Sequence, residues 1–520
     1  CWTTDCAQAF LNSPTGKRNI FVRPPTGCGR KGFVWRLRKF LYGLCSAPAA
    51  WMDTLSSELA THGFVKFEDD PCLLKLCKGK SEVIAEVFVD DIKWCTNDTR
   101  LLKEIISKIG DKFQITVGKT AVNSTNKDDV DWSQAEISTY IGLRYTHDTS
   151  IDGEHVMKVD QTAYIDAMIE RFELTDPSFP SPKTPLPAMS NTGDLAVVMG
   201  AERVYEDEDL RDWSQKFSYP MLIGSLIHAL VHTRPDIAYP VSVLSRAMSC
   251  PTIHHYKAAR RLLLYLRTTR ELGIEYHQKN MLANEKLVTS AVDEHDQFLE
   301  ASVDASFADD QETCRSTSGY VVWFGGSPID WECKRQPLVT MSTMESEYVA
   351  ASKCVLGIRF VHKFMNFVGL KRNGPTKVHE DNAACIAITS KPVHRARSKH
   401  IGVKYHNVRE AAQNGEVELV QVWTEHQTAD IFTKSLKTQD FERCRETLMG
   451  RIPFNEMVLN HVKQLPDHVE TKKNVAHFTV DEKSKWPYMK LPIETDSFAA
   501  QILGVETIKI PGYEDEPLMM

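Results

Sequence analysis

The stretch Ser81–Thr96, SEVIAEVFVDDIKWCT, decides how the first third of the chain is read. Two β-rich runs, Val83–Val89 and Ile92–Thr96, flank the pair Asp90-Asp91, so the pattern predicts a hairpin with two carboxylates at its tip. Adjacent carboxylates in an apolar setting repel; at about 4 Å and an effective dielectric near 20 the repulsion is roughly 4 kcal/mol. A divalent cation relieves it, because Mg2+ is held by carboxylate oxygens together with substrate phosphates. A solvent-facing acidic turn, where Asp is common, is the alternative reading of the same residues.

Working outward, the 520 residues allow two to four domains, and 42 % hydrophobic with 25 % charged residues is a globular profile. The thirteen cysteines contain no C-x-x-C pair, which points to a reducing compartment rather than a zinc module or disulfide scaffold. The longest mostly apolar stretch, around Tyr219–Val231, is too short and polar to span a bilayer, so no membrane partner is expected. Cys1 in place of Met reads as the start of a fragment or processed product. A net charge of −7 argues against a nucleic-acid partner, but its distribution argues for one. Cys6–Met52 holds no acid and eight Lys or Arg; Asn382–Arg409 holds no acid and six, with His394, His400 and His406. Each acid-free stretch lies beside candidate catalytic carboxylates. A solvated basic face is the bland alternative.

Along the chain, residues 1–172 mix short apolar runs with helical patterns. Residues 173–213 are Pro-rich and then acidic, a composition that predicts a connector without a core. Residues 214–296 are read as a largely helical segment, residues 297–436 alternate strand and helix signals as a mixed α/β domain does, and residues 437–520 carry no readable motif. Within 297–436, Gly319–Phe324 and Ser327–Cys333 predict strands around a Gly325-Gly326 turn. Tyr348, Ala351, Val355, Ile358, Val361, Met365 and Val368 predict one long helix with a buried stripe, ended by Gly369. Four acids stand out: Asp304 in a short β-rich run, Glu347 near the start of the long helix, Asp381 opening a helix, and Asp430 in a late helix. A mixed sheet could gather all four at one edge. Singly, each has a plain reading as a cap or an exposed acid.

The motifs themselves resemble those of copia-type retrotransposon Pol polyproteins. FVDDI (Phe88–Ile92) is similar to the family's Tyr-Val-Asp-Asp box, with Phe88 for Tyr; DCAQAFLN (Asp5–Asn12) is similar to its first-aspartate segment. LYGLCSAPAAW (Leu41–Trp51) is similar to the loop and helix that seat the incoming nucleotide. RSTSGYVVWFGG (Arg315–Gly326), STMESEY (Ser342–Tyr348), Asp381-Asn382, SKHIGVKYHNVRE (Ser398–Glu410) and TADIFTKSL (Thr428–Leu436) resemble the family's ribonuclease H domain, and TRPDIAY (Thr233–Tyr239) its connection region.

The resemblance implies an α/β (α+β) chain. Residues 1–172 would form a reverse-transcriptase palm-like sheet with helices, with the fingers upstream. Residues 214–296 would be a helical thumb or connection, and 297–436 a ribonuclease H-like mixed sheet with helices. Asp5, Asp90 and Asp91 would then be the polymerase acids, and Asp304, Glu347, Asp381 and Asp430 the nuclease acids. Each set would hold two Mg2+ ions, with Mn2+ as a substitute. Glu347 rather than Glu345 fits the family's Glu-Tyr-x-Ala pattern. Tyr42, Gly43, Arg315, Arg395, Arg397, Lys399 and His400 would contact nucleotide or nucleic acid, and His426 is a candidate proton shuttle. The implied partners are an RNA–DNA hybrid, an RNA template with a DNA primer, and dNTPs, in an intracellular setting of cytoplasmic particle or nucleus. Cys45 and Ser46 stand where the family has Lys-Gln, and Ala49 where it has Arg, which predicts impaired nucleotide placement. The alternative is a decayed retroelement remnant that binds nucleic acid without turnover. A small-molecule phosphate enzyme is not supported, since the chain has no P-loop or dinucleotide fingerprint.

Overall fold

The computed structural model describes residues 1–23, 34–149, 155–188, 207–278, 299–370, 372, 374–390, 406–452, 454 and 457. The chain forms two compact units, Cys1–His147 with Arg359–Arg372, and Asp148–Ile358 with Asn373–Met520. Both are mixed α/β, with eleven α-helices and several sheets among the described residues.

In the first unit the Ser81–Phe88 strand alternates as its sequence dictates. Val83, Ala85 and Val87 are buried, with less buried residues between them. It pairs with Asp91–Thr96, matching Val87 to Ile92 and Phe88 to Asp91, so the turn is Val89-Asp90 and Asp91 already belongs to a strand. These are the centre of a seven-stranded antiparallel sheet in the order Val65–Lys66, Leu73–Lys78, Ser81–Phe88, Asp91–Thr96, Trp2–Cys6, Ile115–Val117, Thr120–Val122. Two helices close the core. Ala47–Thr61, with Pro48 in its first turn where a missing amide costs nothing, buries Trp51, Leu55 and Leu59. Thr99–Gly110, capped by Asp98 accepting from the Arg100 and Leu101 amides, buries Leu102, Ile105, Ile106 and Ile109.

The second unit holds a five-stranded sheet in the order Ser327–Arg335, Arg315–Phe324, Leu299–Asp310, Thr376–Glu380, Val417–Gln421. The first three strands are antiparallel, joined by short turns. The last two run parallel to Leu299–Asp310, which requires crossovers. The helix Thr343–Val368 supplies one, and the helices Ala383–Ser390 and Asn407–Gln413 the other. Tyr348, Ala351, Val355 and Ile358 form the buried stripe of the long helix. It ends at Gly369 (φ 86°) in a Schellman motif: the Leu370 amide donates to Met365 and the Gly369 amide to Asn366. Helices Thr162–Arg171, Asp207–Lys216, Tyr219–His232, Ala238–Ser245 and Ile253–Thr268 share a core with Val321, Trp323 and Phe432 of the sheet region. Residues 214–296 are not helical throughout, because Gly273–His277 is a strand paired with His155–Asp160.

The expectation that residues 173–213 lack a core is corrected. Leu174, Leu186, Leu210 and Trp213 are buried among the helices, and Asp207–Lys216 is itself helical. The prolines there do not keep neighbouring apolar residues in solvent: Leu186, between Pro185 and Pro187, is 2 % exposed. The TRPDIAY segment is buried for a reason its sequence does not announce. Arg234 donates to both Asp236 oxygens (2.9 and 2.7 Å) and to the Thr269 carbonyl (3.0 Å), and the Tyr265 hydroxyl donates to Asp236 at 2.6 Å. No described helix is long and apolar enough to cross a membrane.

Candidate functional site

The four acids of the second unit meet at the edge where the parallel strands end. Asp304 sits in the middle of Leu299–Asp310, a strand of 12 residues rather than a short run, because neighbours pair with it on both sides. Its parallel neighbour matches Ser302 to His379; two residues further, Asp304 lies beside Asp381. Asp381 does not open the following helix. It lies between Thr376–Glu380 and Ala383–Ser390, and Asn382 caps the helix by accepting from the Ala384 (3.0 Å) and Cys385 (3.1 Å) amides. Glu347 comes from the first turns of the long helix. Glu345 faces its own helix start, accepting from the Met341 amide at 2.7 Å, so of the two only Glu347 enters the cluster. Asp430 lies in the 3-10 turn Thr428–Phe432, not in an α-helix.

One carboxylate oxygen from each of Asp304, Glu347 and Asp381 lies within 4.8 Å of the others. Asp304 is 2 % exposed and Glu347 5 %, and Glu347 Oε2 is buried without a hydrogen-bond partner. Burial, then the charges of Asp304, Glu380 and Asp381, push the Glu347 carboxyl up to about 11. Asp430 stands apart from the close trio, beside a cation. Lys434 Nζ is 2.7 Å from Asp430 Oδ1 and 3.5 Å from Asp304 Oδ2. Burial and Asp304 raise Asp430 to about 7, against the lowering effect of Lys434. Other side chains fix the acids: Thr433 donates to Asp304, and Thr424 to Asp381 at 2.9 Å.

Several residues of this arrangement escaped sequence reasoning. Glu380 is fully buried, accepts from the Asn382 amide at 3.0 Å, leaves Oε2 without a partner, and is pushed by burial to about 8. A fifth carboxyl beside Asp381 was visible only as one more acid at a strand end. Gln427 Nε2 donates to the Val303 carbonyl at 2.9 Å and tethers the Asp430 turn to the Asp304 strand. Gly319, paired opposite Asp304, admits that turn: a Cβ there would lie 2.4 Å from Phe432 Cβ and 3.0 Å from Thr433 Cγ2. His426 is 3 % exposed and stacks against Trp423 at 5.6 Å. Arg315 is at the start of its strand, paired with Asp310 rather than Asp304. Arg395, Arg397, Lys399 and His400 lie outside the described residues.

In the first unit, Asp5 and Asp91 are cross-strand partners, and the Cys6 amide donates to the Asp90 carbonyl at 2.8 Å. Burial first, then Asp90, raises both Asp5 and Asp91. Their oxygens do not form a close trio like that at Asp304. The hairpin tip is strained: Val89, a β-branched residue, has φ 55°. The Trp51 indole holds its carbonyl with a 2.5 Å hydrogen bond, so the helix after the LYGL loop braces the tip. Tyr42 is 54 % exposed and packs on Phe10 at 4.6 Å; Gly43 takes φ 93°, which its lack of a Cβ allows.

Comparisons with known proteins agree with these motifs. Residues 2–186 match the reverse transcriptase (RNA-dependent DNA polymerase) family. The retrovirus-related Pol polyprotein from transposon RE1 of Arabidopsis thaliana is 31 % identical over 459 residues, covering 86 % of this chain and 27 % of that protein. The corresponding polyprotein from transposon TNT 1-94 of Nicotiana tabacum is 28 % identical over 446 residues, covering 85 % and 30 %. The chain thus spans less than a third of the length of these relatives. The crystal structure of prototype foamy virus protease-reverse transcriptase (a selenomethionine-labelled mutant) aligns at 10 % identity over 81 % of this chain and 64 % of that one, with a TM-score of 0.19, which does not establish a common fold.

Proposed function

We propose, for a chain that belongs to the Pol polyproteins of copia-type retrotransposons and carries their reverse transcriptase domain, that its second unit cleaves the RNA strand of RNA–DNA hybrids. On this reading residues 1–172 are the palm-like polymerase part and 173–213 a connector whose Leu174, Leu186, Leu210 and Trp213 pack into the helical core. Residues 214–296 are the thumb or connection, 297–436 the ribonuclease H domain, and 437–520 a tail. The observation that carries it is the trio Asp304, Glu347 and Asp381, with ligand oxygens within 4.8 Å and a buried Glu347 oxygen that has no partner. Such a set fits a divalent ion: hard oxygen donors converge, and the cost of crowding them is relieved by a cation or, without one, by a retained proton. Asp304, Glu347, Asp381 and Asp430 would hold two Mg2+ ions, or Mn2+. When bound, the ions would supply Lewis acidity and neutralise charge on the scissile phosphate.

The chain's own residues do the positioning. Thr433 and Lys434 orient Asp304 and Asp430, Thr424 orients Asp381, and Gln427 fixes the turn. Hybrid recognition would rest on backbone shape and 2′-hydroxyls rather than base edges. Arg315 and the basic Arg395, Arg397, Lys399 and His400 stretch would contact phosphates, and His426 would move protons. In the first unit, Asp5, Asp90 and Asp91 would serve template-directed DNA synthesis on an RNA template with a DNA primer and dNTPs. Tyr42 and Gly43 would sit at the nucleotide, with Cys45, Ser46 and Ala49 weakening its placement.

The test is cleavage of a labelled RNA–DNA hybrid by the purified chain with Mg2+, beside Asp381→Asn. Cleavage lost in the variant is the expected result. A folded wild-type chain that binds the hybrid and leaves it intact would overturn the reading in favour of a decayed remnant.

A further inference from the structure

We propose that Cys1 and Cys95 form a reversible disulfide that joins the strand Trp2–Cys6 to the strand Asp91–Thr96. Their Sγ atoms are 2.9 Å apart, and both thiols are free. Strand register explains the approach. Trp2 pairs with Trp94, so Cys1 falls opposite Cys95. The Cys6 amide bonds the Asp90 carbonyl, marking a hydrogen-bonded pair there. Counting back by the alternation of antiparallel ladders, Asp5/Asp91, Thr3/Lys93 and Cys1/Cys95 are non-hydrogen-bonded pairs. These are the positions with Cα atoms about 4.5 Å apart and side chains closest. Disulfides accept Cα separations of roughly 4.4–6.8 Å. Cys1 is exposed and Cys95 partly so, whereas Cys6, Cys354, Cys385 and Cys444 are buried.

The oxidant is a small-molecule disulfide such as oxidised glutathione. The Cys1 thiolate attacks one of its sulfurs, the S–S bond breaks, and one glutathione thiolate leaves. The Cys95 thiolate then attacks Cys1 Sγ in the mixed disulfide and expels the second glutathione. Two protein thiols are oxidised, one glutathione disulfide is reduced to two thiols, and the two protons pass to them. The consequence falls on the polymerase acids. Asp5 and Asp91 occupy the same kind of pair on the same two strands, and their repulsion works against the pairing that a covalent link would hold.

The experiment incubates the full chain with oxidised glutathione and maps unreduced peptides by mass spectrometry. A peptide joining Cys1 to Cys95 is expected as the dominant cross-link, with loss of one pair of titratable thiols, reversal by dithiothreitol, and a raised unfolding midpoint. Cys95→Ser should lose the cross-link and leave Cys1 glutathionylated, while Cys77→Ser should keep it. Cys1→Ser, at an exposed position, gives the same loss if Cys95→Ser fails to fold. Wild-type protein that stops at glutathionylated Cys1, or that pairs Cys1 with other cysteines, would overturn the proposal.

Discussion

Replacing Glu347 by Gln should stabilise the metal-free protein. Glu347 is buried beside Asp304, Glu380 and Asp381, and its carboxyl is pushed up to about 11. In the folded chain at pH 8 it therefore holds its proton; in the unfolded chain it ionises near the ordinary 4.5. Below pH 4.5 both states are protonated and nothing is lost. As pH rises, the unfolded state gains by releasing the proton and the folded state cannot, so stability falls. From pH 4.5 to 8 the ceiling on that loss is about 5 kcal/mol at about 1.4 kcal/mol per tenfold change in proton affinity. Relaxation of the site and sharing of protons with Glu380 and Asp430 reduce it, and about 2–3 kcal/mol is expected. Gln matches the protonated acid in shape and has nothing to ionise. Urea unfolding in EDTA should thus show wild type and Glu347→Gln alike at pH 5 and the variant more stable at pH 8. Millimolar Mg2+ should restore the wild type at pH 8 by favouring the folded state and do little for the variant. A variant less stable than wild type at pH 8 in EDTA, or equally stabilised by Mg2+, would refute the reasoning.

Lys434→Met should lower stability at pH 8 without divalent ions by about 1–2 kcal/mol, since hydrogen-bonded charge pairs contribute at that level, and Mg2+ should shrink the difference in the same urea series. Arg234→Ala leaves the fully buried Asp236 carboxyl without its cation and should cost about 3–5 kcal/mol; equilibrium denaturation followed by tryptophan fluorescence checks it, and a loss below about 1 kcal/mol would count against a paired role. Gly319→Ala puts a methyl 2.4 Å from Phe432 Cβ. About 1–3 kcal/mol of overpacking is expected, with hybrid cleavage reduced more than hybrid binding because the Asp430 turn is displaced, which parallel cleavage and binding assays would separate.

The legible parts were those where local pattern and tertiary environment agree. Alternation at Val83, Ala85 and Val87 places the aspartates at a hairpin, and the stripe from Tyr348 with Gly369 beyond it describes the helix that presents Glu347. Where backbone partners decide the structure, local reading fell short. Asp304 looked like the end of a short run because its ladder partners are distant in sequence. Asp381 looked like a cap, but the adjacent Asn382 satisfies the helix amides and leaves Asp381 to the cluster. Leu174, three residues before Pro177, and Leu186, between Pro185 and Pro187, read as linker and are core, because burial depends on what arrives opposite them. Glu380 and Lys434 carried no signal of their own: a buried acid and a neutralising ammonium become recognisable only once the sheet brings Asp304 between them.

The parallel arrangement of Leu299–Asp310, Thr376–Glu380 and Val417–Gln421 also governs when the site can exist. Asp304, Glu347, Asp381 and Asp430 come from four separate segments, and no two of these four lie close enough along the chain to form a local chelate. A zinc finger can be nucleated by its metal; this cluster cannot, because its ligands converge only after long-range strand pairing, the slow step for such topologies. During synthesis, a nascent chain that ends before Gln427 lacks both the tether and the last acid, however well its earlier hairpin has formed. On the proposed function, ion binding at this edge would therefore report that the second unit has finished folding.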